Sequence, residues 1–417
     1  MWRLLILTAC LSGLAAAERK SYRSYKLISV QALNETQVKY LQSIHDSENY
    51  EVDFFSDPSL IRTTDILVAP WDYGRLNNVL RKAGFNVKVM VEDMQTLIDE
   101  EMMEMVASPL NFDYRNNYLT LDQAYLLIDD LASKYSDLIT VTTLGYSHQG
   151  RPLKQVKISK NTGTSKPAIW IEATTHAREW VSLSVALGII HNLVNAHGNT
   201  EKASLDMLAA FDWYINPVHN PDGYVYTHTT DRLWRKNRQI ISGCGSIVGV
   251  DLNRNWDVNH GGTGSSASCS SDTFHGGSPF SAPETAALKA AVESTPNVKA
   301  FFSFHSYSQL ILLPYAYTTA TAPNYNVLKL MGDNAANALY EVSKRRFTVG
   351  SAAQILYAAS GGAYDYFYVR RGIQYSFTYE LRPSGIPYFE LPAREIAAAI
   401  DETWASFVSF AEQIAAV

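Results

Sequence analysis

The chain has 417 residues, of which 47% are hydrophobic and 18% charged, and its formal net charge is −6. That balance excludes a disordered chain and offers no electrostatic case for a nucleic-acid partner, while the length suits two domains or one large domain with an appendage. After the first few residues no segment reaches the ~18 uninterrupted apolar residues of a membrane span, so no membrane partner is expected.

Residues 1–17 read as a secretory signal. Arg3 supplies the charged start, Leu4 to Leu14 the apolar core, and Ala15-Ala16-Ala17 a small-residue cleavage site. The mature protein is therefore expected to be secreted and extracellular. Cys10 leaves with that segment, and Cys244 and Cys269 remain. In an oxidising compartment such a pair reads as a disulfide, here stapling a Gly/Ser-rich loop, a closure worth roughly 3 kcal/mol in the chain-entropy model. Zinc ligation by the two thiolates is the competing reading, but it lacks partner cysteines.

Residues 18–105 form a compositional unit with 10 Lys and Arg against 15 Asp and Glu. Its pattern predicts strand 25–30, helix 35–47, strand 51–55, strand 64–68, helix 73–83 and strand 86–91, the β-α-β-β-α-β order of a ferredoxin-like unit. No cluster of His, Cys or Asp suggests chemistry there. Asn34-Glu35-Thr36 is a glycosylation acceptor in a secreted chain. An acidic, Met-rich stretch at 99–105 reads as a helix leading into a linker at Ser108-Pro109, which divides an N-terminal domain, 18–108, from a larger one, 109–417.

From about 110 strands and helices alternate, the pattern of an α/β sheet with helices on both faces. Helix 121–134 precedes strands near 140–144, 155–159 and 168–173. Helix 181–196 follows, then a strand at 212–218 that ends in the turn signal His219-Asn220-Pro221-Asp222-Gly223. Residues 299–304 form a strand ending at His305, 324–343 a long helix, and 392–415 a C-terminal one.

Candidate chemistry sits at the ends of these elements. His176 and Glu179 lie between the 168–173 strand and its helix, three residues apart, so that an imidazole and a carboxylate can converge. They make two-thirds of a catalytic zinc site, which takes three protein ligands and leaves one position open; the bland alternative is a helix-capping Glu beside a half-exposed His. His305, at a strand's carboxyl end where open α/β sheets place their sites, is either the third ligand or a packed structural residue. Alternation over 373–380 puts Ile373, Tyr375, Phe377 and Tyr379 on one face and Gln374, Ser376, Thr378 and Glu380 on the other. Glu380 then reads either as a general base or as the ion-pair partner of Arg382. Arg232, Arg235 and Arg254 are arginines in a protein that is not otherwise basic, offering bidentate geometry for a carboxylate unless they are solvated surface charge.

Taken together, T-H-A-R-E-W at 175–180, R-L-W-R-K at 232–236, D-L-N-R-N-W-D at 251–257, F-H-S-Y-S-Q at 304–309, Y-x-x-S-G-G at 357–362 and F-T-Y-E-L-R at 377–382 resemble, in order and spacing, the zinc metallocarboxypeptidases of the digestive A/B type in their pro-form. The resemblance covers essentially the whole chain. It implies a mixed sheet with helices on both faces after an inhibitory ferredoxin-like pro-domain, and one zinc ion held by His176, Glu179 and His305. It further implies that Asp251 orients His176, that Glu380 is the general base, and that Arg235 stabilises the oxyanion. Asn253, Arg254 and Tyr357 would hold the substrate's terminal carboxylate, with Tyr357 on a closing loop. Arg178, Arg232 and Tyr307 would line the approach. The implied partners are the C-termini of peptides or proteins and an activating protease, with a monomer the simpler expectation.

The floor of the implied side-chain pocket is Tyr364, where B-type enzymes carry an acidic residue and A-type ones an aliphatic residue. A neutral floor among Ala316, Ala352, Leu356 and Ala359 implies neutral, hydrophobic C-terminal side chains, with the bulk of Tyr favouring aliphatic over large aromatic ones. The alternatives are a B-type enzyme for C-terminal Lys or Arg and a catalytically silent peptide-binding homologue; a metalloendopeptidase would carry H-E-x-x-H, which is absent.

Family zymogens are usually cut by trypsin-like proteases between pro-segment and enzyme. Between Lys88 and Arg115 this chain has no Lys or Arg. Trypsin is therefore expected to leave residues 89–114 intact, so that another protease does the processing. N-terminal sequencing after trypsin checks this, and a new terminus inside that window overturns it.

Overall fold

Two sets of strands with different burial patterns build two sheets. The computed structural model describes residues 19–47, 49–105, 112–198, 202–246 and 248–417; the expected signal segment and the Ser108-Pro109 linker lie outside them. Among the described residues no helix is long and apolar enough to cross a membrane.

The N-terminal unit contains β1 (Lys26–Val30), β2 (Val52–Phe54), β3 (Thr64–Val68) and β4 (Lys88–Val91), in the order β2-β3-β1-β4 with every pair antiparallel. Helices Glu35–His45 and Pro70–Lys82 cover one face, burying Leu41, Ile44, Leu76 and Leu80 against Ile28, Val30, Ile66 and Val68. This is the expected ferredoxin-like unit. Its strands are apolar on both faces, however, and a second apolar face must be covered by something else. Leu27 and Leu67, with Tyr25 and Phe55, pack on Leu233, Tyr307, Tyr388 and Phe389 of the larger unit. Helix Met94–Glu104 begins earlier than the acidic stretch suggested, at Asp93, whose side chain accepts from the Gln95 backbone N–H.

The larger unit contains β5 (Ile139–Tyr146), β6 (Pro152–Ile158), β7 (Ala168–Ala173), β8 (Asp212–Asn216), β9 (Val298–Ser306), β10 (Leu310–Leu313), β11 (Thr348–Ser351) and β12 (Tyr375–Leu381), ordered β11-β10-β12-β9-β7-β8-β6-β5. The central strands β12, β9, β7 and β8 run parallel, and antiparallel pairs flank them. Alternation divides their side chains between two cores. Ile169, Ile171, Phe302, Phe304, Phe377 and Tyr379 face helices Leu121–Lys134, Trp180–Gly198, Tyr325–Ser343 and Ile396–Ala415. Trp170 and Phe301 face helices Pro283–Ser294 and Ala363–Arg371. The sheet is thus mixed and covered on both sides.

Local reading failed in specific places. The turn expected at 219–223, after a strand running to 218, is the start of helix Pro221–Thr229. Asn220 caps it by accepting from the Gly223 N–H at 2.9 Å, and Pro221 occupies the first turn, where its missing N–H costs nothing. Strands β10 and β11 are four residues each, too short for a period to register. Helices Lys202–Ala210, Pro283–Ser294 and Ala363–Arg371 were also unread; all three have only a weak separation of apolar and polar faces.

Candidate active site

Sheet register assembles the site. β9 lies beside β7 and β12, and all three are parallel, so their carboxyl ends project together: Ala173 pairs with Phe304, and His305 with Glu380. After Ala173 the chain turns sharply at Thr174, whose φ of 58° is unusual for a β-branched residue. That conformation is held by its hydroxyl donating to the Pro217 carbonyl at 2.9 Å and its N–H donating to Ser182 Oγ at 3.2 Å. His176 and Glu179 sit in the turn before helix Trp180–Gly198, the Glu179 N–H donating to the His176 carbonyl at 3.2 Å.

The three predicted ligands converge. His176 Nδ1 lies 2.7 Å from Glu179 Oε1, and His305 Nδ1 lies 3.0 Å from both Glu179 Oε2 and His176 Nδ1. All three side chains are buried, and their ligating atoms lie within 4.8 Å of one another. Two ring nitrogens facing each other across a carboxylate cannot both present lone pairs without a cation or a proton between them. That donor set, two imidazoles and one carboxylate, fits zinc. Burial works against the charge on Glu179, but the His176 and His305 rings prevail and hold its carboxyl far below the usual range.

Asp251 is fully buried and joins two functional groups. Its Oδ1 is 3.1 Å from His176 Nε2, and its Oδ2 accepts from Arg235 Nη2 at 2.9 Å and Nε at 3.1 Å. Burial opposes its ionisation, yet Arg235 and then His176 keep it well below the ordinary carboxylate range. Asn253 accepts from the Ala363 N–H at 3.0 Å, and Arg254 donates to the Gly264 carbonyl at 2.6 Å. Glu380 does not pair with Arg382, which binds Glu402 and Glu395 instead. Burial and then the charge of Glu179 push the Glu380 carboxyl well above its usual range, against the pull of Arg235, Arg62 and Arg254.

One cavity gathers most of the predicted residues. His176, Glu179, Arg235, Asn253, Arg254, Tyr307, Tyr357, Tyr364 and Glu380 line it with Leu312, Ala316, Ala352, Leu356, Ala359 and Thr378. His305, Asp251, Arg178 and Arg232 are buried and do not line it, so the two arginines expected along the approach are instead held by Asp53 and Glu101. Asp365, next to the floor residue, does not line the cavity: it accepts from the Ala316 N–H at 2.7 Å, and burial raises its carboxyl to about 7. The predicted disulfide joins Cys244 and Cys269.

Sequence reading missed the groups that close this cavity. Phe55 and Ser56 of the N-terminal unit line it, leaving a volume of about 70 Å³, against roughly 300–1,000 Å³ for open ligand pockets. Asp53 accepts from Arg178 Nη1 at 2.6 Å, Asp57 from Arg254 Nη2 at 3.3 Å, and Asp65 from the Tyr307 hydroxyl at 3.4 Å. Glu101 and Arg232 form a buried two-point ion pair, at 2.5 and 2.8 Å. Arg62 is near enough to Glu380 for their charges to interact. The available signal was a run of carboxylates, Asp53, Asp57 and Asp65, opposite an arginine-bearing motif set; one-dimensional spacing does not reveal that they face each other.

Comparison with known proteins agrees with this geometry. A zinc carboxypeptidase family model matches residues 124–406, and a carboxypeptidase activation peptide model matches residues 28–101. The chain is 36% identical to carboxypeptidase A2 of Rattus norvegicus over 418 residues, covering 99% of each. The fold is similar to that of carboxypeptidase A from Helicoverpa armigera, with TM-score 0.86 and 31% identity over 95% of this chain and 98% of the other. It is also similar to thrombin activatable fibrinolysis inhibitor, with TM-score 0.85 and 31% identity over 95% and 100%.

The contact around Arg178 predicts a pH dependence. Asp272 Oδ2 lies 3.7 Å from the same guanidinium that binds Asp53, so two carboxylates share one cation. Burial raises Asp53 to about 7 from 3.8; Arg178 opposes the rise and Asp272 adds to it. A raised carboxyl binds its proton more tightly when docked than when free, so docking weakens as pH rises through the window between those values. The urea concentration that separates the N-terminal unit, followed by tryptophan fluorescence, should fall between about pH 4 and about pH 7. Asp272→Asn should flatten the fall, and an undiminished fall in that variant would assign the effect elsewhere.

Proposed function

The chain belongs to the zinc carboxypeptidase family and carries that family's activation peptide; from this premise we propose that it is the secreted zymogen of an A-type enzyme, removing neutral, hydrophobic residues from peptide C-termini with the residues assigned below. The zymogen class and the peptide hydrolase activity follow from the family itself. The observation that supports the finer reading is the composition of the cavity, in which Arg235, Arg254 and Glu380 share the lining with His176 and Glu179 and the remaining side chains include the uncharged Leu312, Ala316, Ala352, Leu356, Ala359 and Tyr364.

His176, Glu179 and His305 hold the zinc, which when bound supplies Lewis acidity, making water a nucleophile near neutral pH and polarising a carbonyl. The other steps are side-chain work. Arg254, with Asn253 and Tyr357, takes the free carboxylate of the substrate in the place where Asp57 now meets Arg254. A fixed, mostly buried cation at that point rejects an internal peptide bond, which has no charge to offer. Arg235, gripped by Asp251 on two nitrogens, is preorganised toward the oxygen that gains charge as the scissile carbon becomes tetrahedral. Glu380 accepts the proton of the attacking water and passes it to the leaving amine nitrogen.

The terminal side chain enters the wall formed by Leu312, Ala316, Ala352, Leu356 and Tyr364. With Asp365 turned away toward the Ala316 N–H, no carboxylate is offered there to a Lys or Arg tip. Secretion is supported by the apolar N-terminal run and by the disulfide. The lack of a trypsin site in 89–114 supports an activating protease of different specificity.

Two measurements test the assignment. Glu380→Gln should retain stoichiometric zinc while turnover falls by about 10²–10⁴-fold, the usual scale for a general base; retention of most activity would remove Glu380 from that role. On the processed enzyme, peptides ending in Leu or Phe should be cleaved with higher kcat/KM than the same peptide ending in Arg, and a chelator should abolish both. A preference for Arg would reassign the enzyme to the B type.

A further inference from the structure

Glu390 is only 1% exposed, and neither of its carboxyl oxygens is hydrogen-bonded to another residue. Its neighbours in the chain fix its place. The Phe389 carbonyl accepts from Arg232 Nη2 at 3.0 Å, and the Leu391 carbonyl accepts from the Tyr118 hydroxyl at 2.7 Å. Glu390 therefore stands beside Arg232, near enough for its charge to act on Arg232 and to be acted on by Glu101. Two buried carboxyls, one from each unit, face a single guanidinium.

Only one of the two is served. A guanidinium has five N–H donors. In Arg232, Nε and Nη2 donate to Glu101 at 2.5 and 2.8 Å, Nη2 also donates to the Phe389 carbonyl, and Nη1 donates to the Arg178 carbonyl at 2.9 Å. Glu101 thus holds the two-point edge of the fork that suits a carboxylate. Burial raises the Glu390 carboxyl to about 8, with Arg232 pulling it down and Glu101 pushing it up. A buried carboxyl without a partner is rare in a folded protein. The chain's division into two units supplies a reason for this one. Glu101 lies on helix Met94–Glu104, ahead of the linker, and departs with the N-terminal unit. Arg232 stays behind, stacked at 3.7 Å on the Trp180 ring, and loses its counter-ion. A cation stranded in that way is costly unless another carboxylate reaches it.

We propose that Glu390 is the reserve counter-ion of Arg232: it stands unpaired while Glu101 is docked, takes Arg232 once the N-terminal unit departs, and so opposes the return of that unit. Glu101 and Glu390 are then alternative partners for one guanidinium, and whatever Arg232 gains from the second is subtracted from its affinity for the first. The inference uses the match of the N-terminal unit to a carboxypeptidase activation peptide and is independent of which C-terminal residues the enzyme removes.

The test compares docked and separated states of the zinc-loaded full chain, using the urea concentration that separates the N-terminal unit, read by tryptophan fluorescence. Glu390→Gln keeps the shape and removes the charge. It should raise that concentration by about 0.5–1 M, because the separated state loses an ion pair and the docked state loses none. Glu390→Leu should act in the same direction, and if one variant fails to fold the other carries the test. Glu101→Gln should lower the concentration. In that background Glu390→Gln should no longer raise it, since Arg232 then relies on Glu390 in both states. A purely structural Glu390 would instead lower it in both backgrounds. A value lowered or unchanged by the Glu390 substitutions overturns the proposal, and so does an equal rise in the Glu101→Gln background.

Discussion

Everything in this molecule depends on three donor atoms from two distant parts of the chain being forced within reach of a single point. Nδ1 of His176, Nδ1 of His305 and the Glu179 carboxylate are all buried, and none is in a position to be solvated separately. In an apolar interior that arrangement is costly unless a cation completes it. The sheet bears the load. Parallel pairing of β7, β9 and β12 brings their carboxyl ends level, and the strained turn at Thr174 carries the chain from β7 to His176 and Glu179. The same register sets His305, one of the metal-binding set, opposite the Glu380 carboxyl on the adjacent strand. Asp251 extends the order outward, orienting an imidazole with one oxygen and an arginine with the other.

The N-terminal unit meets the larger unit with charges opposite to those that the larger unit presents. The cationic groups assigned to the substrate path meet carboxylates in the uncleaved chain: Arg178 meets Asp53, Arg254 meets Asp57 and Arg232 meets Glu101. Aromatic contacts fill the space between, with Phe55 set edge-on to Phe389 and Tyr388, and Tyr307 packed against the same two rings. These pairs differ in worth. Glu101 and Arg232 are both buried, so removing either partner would strand a charge, whereas the exposed pair of Glu104 with Arg394 contributes little. With Phe55 and Ser56 lining the cavity itself, the N-terminal unit occupies space at the site as long as it stays docked.

The sequence made much of this readable because the motifs are short and local. His176, Glu179, Asp251, Asn253, Arg254 and Glu380 sit in strings of conspicuous residues, and alternation along 373–380 correctly separated Tyr375, Phe377 and Tyr379 from Thr378 and Glu380. Long elements with a strong apolar stripe, such as Leu121–Lys134 and Tyr325–Ser343, were predicted nearly to the residue. Short β10 and the helix beginning at Pro221 were not, because four residues carry no period and Asn-Pro-Asp-Gly serves a turn and a capped helix equally well.

By itself the sequence determined the kinds of group available: two imidazoles, two critical carboxylates, a set of arginines, a neutral tyrosine at the pocket floor and no basic residue between Lys88 and Arg115. Only the tertiary structure decided which of them meet. Arg382 could have claimed Glu380, but packing gave it Glu402 and Glu395, which leaves the Glu380 carboxyl free. Asp365 could have faced the pocket, but its carboxylate accepts from the Ala316 amide and does not line the cavity. The physical reason is that hydrogen bonds and ion pairs are satisfied in three dimensions, by partners as far as 297 positions apart in the case of Ser59 and Leu356, and a linear order of residues carries no record of those distances.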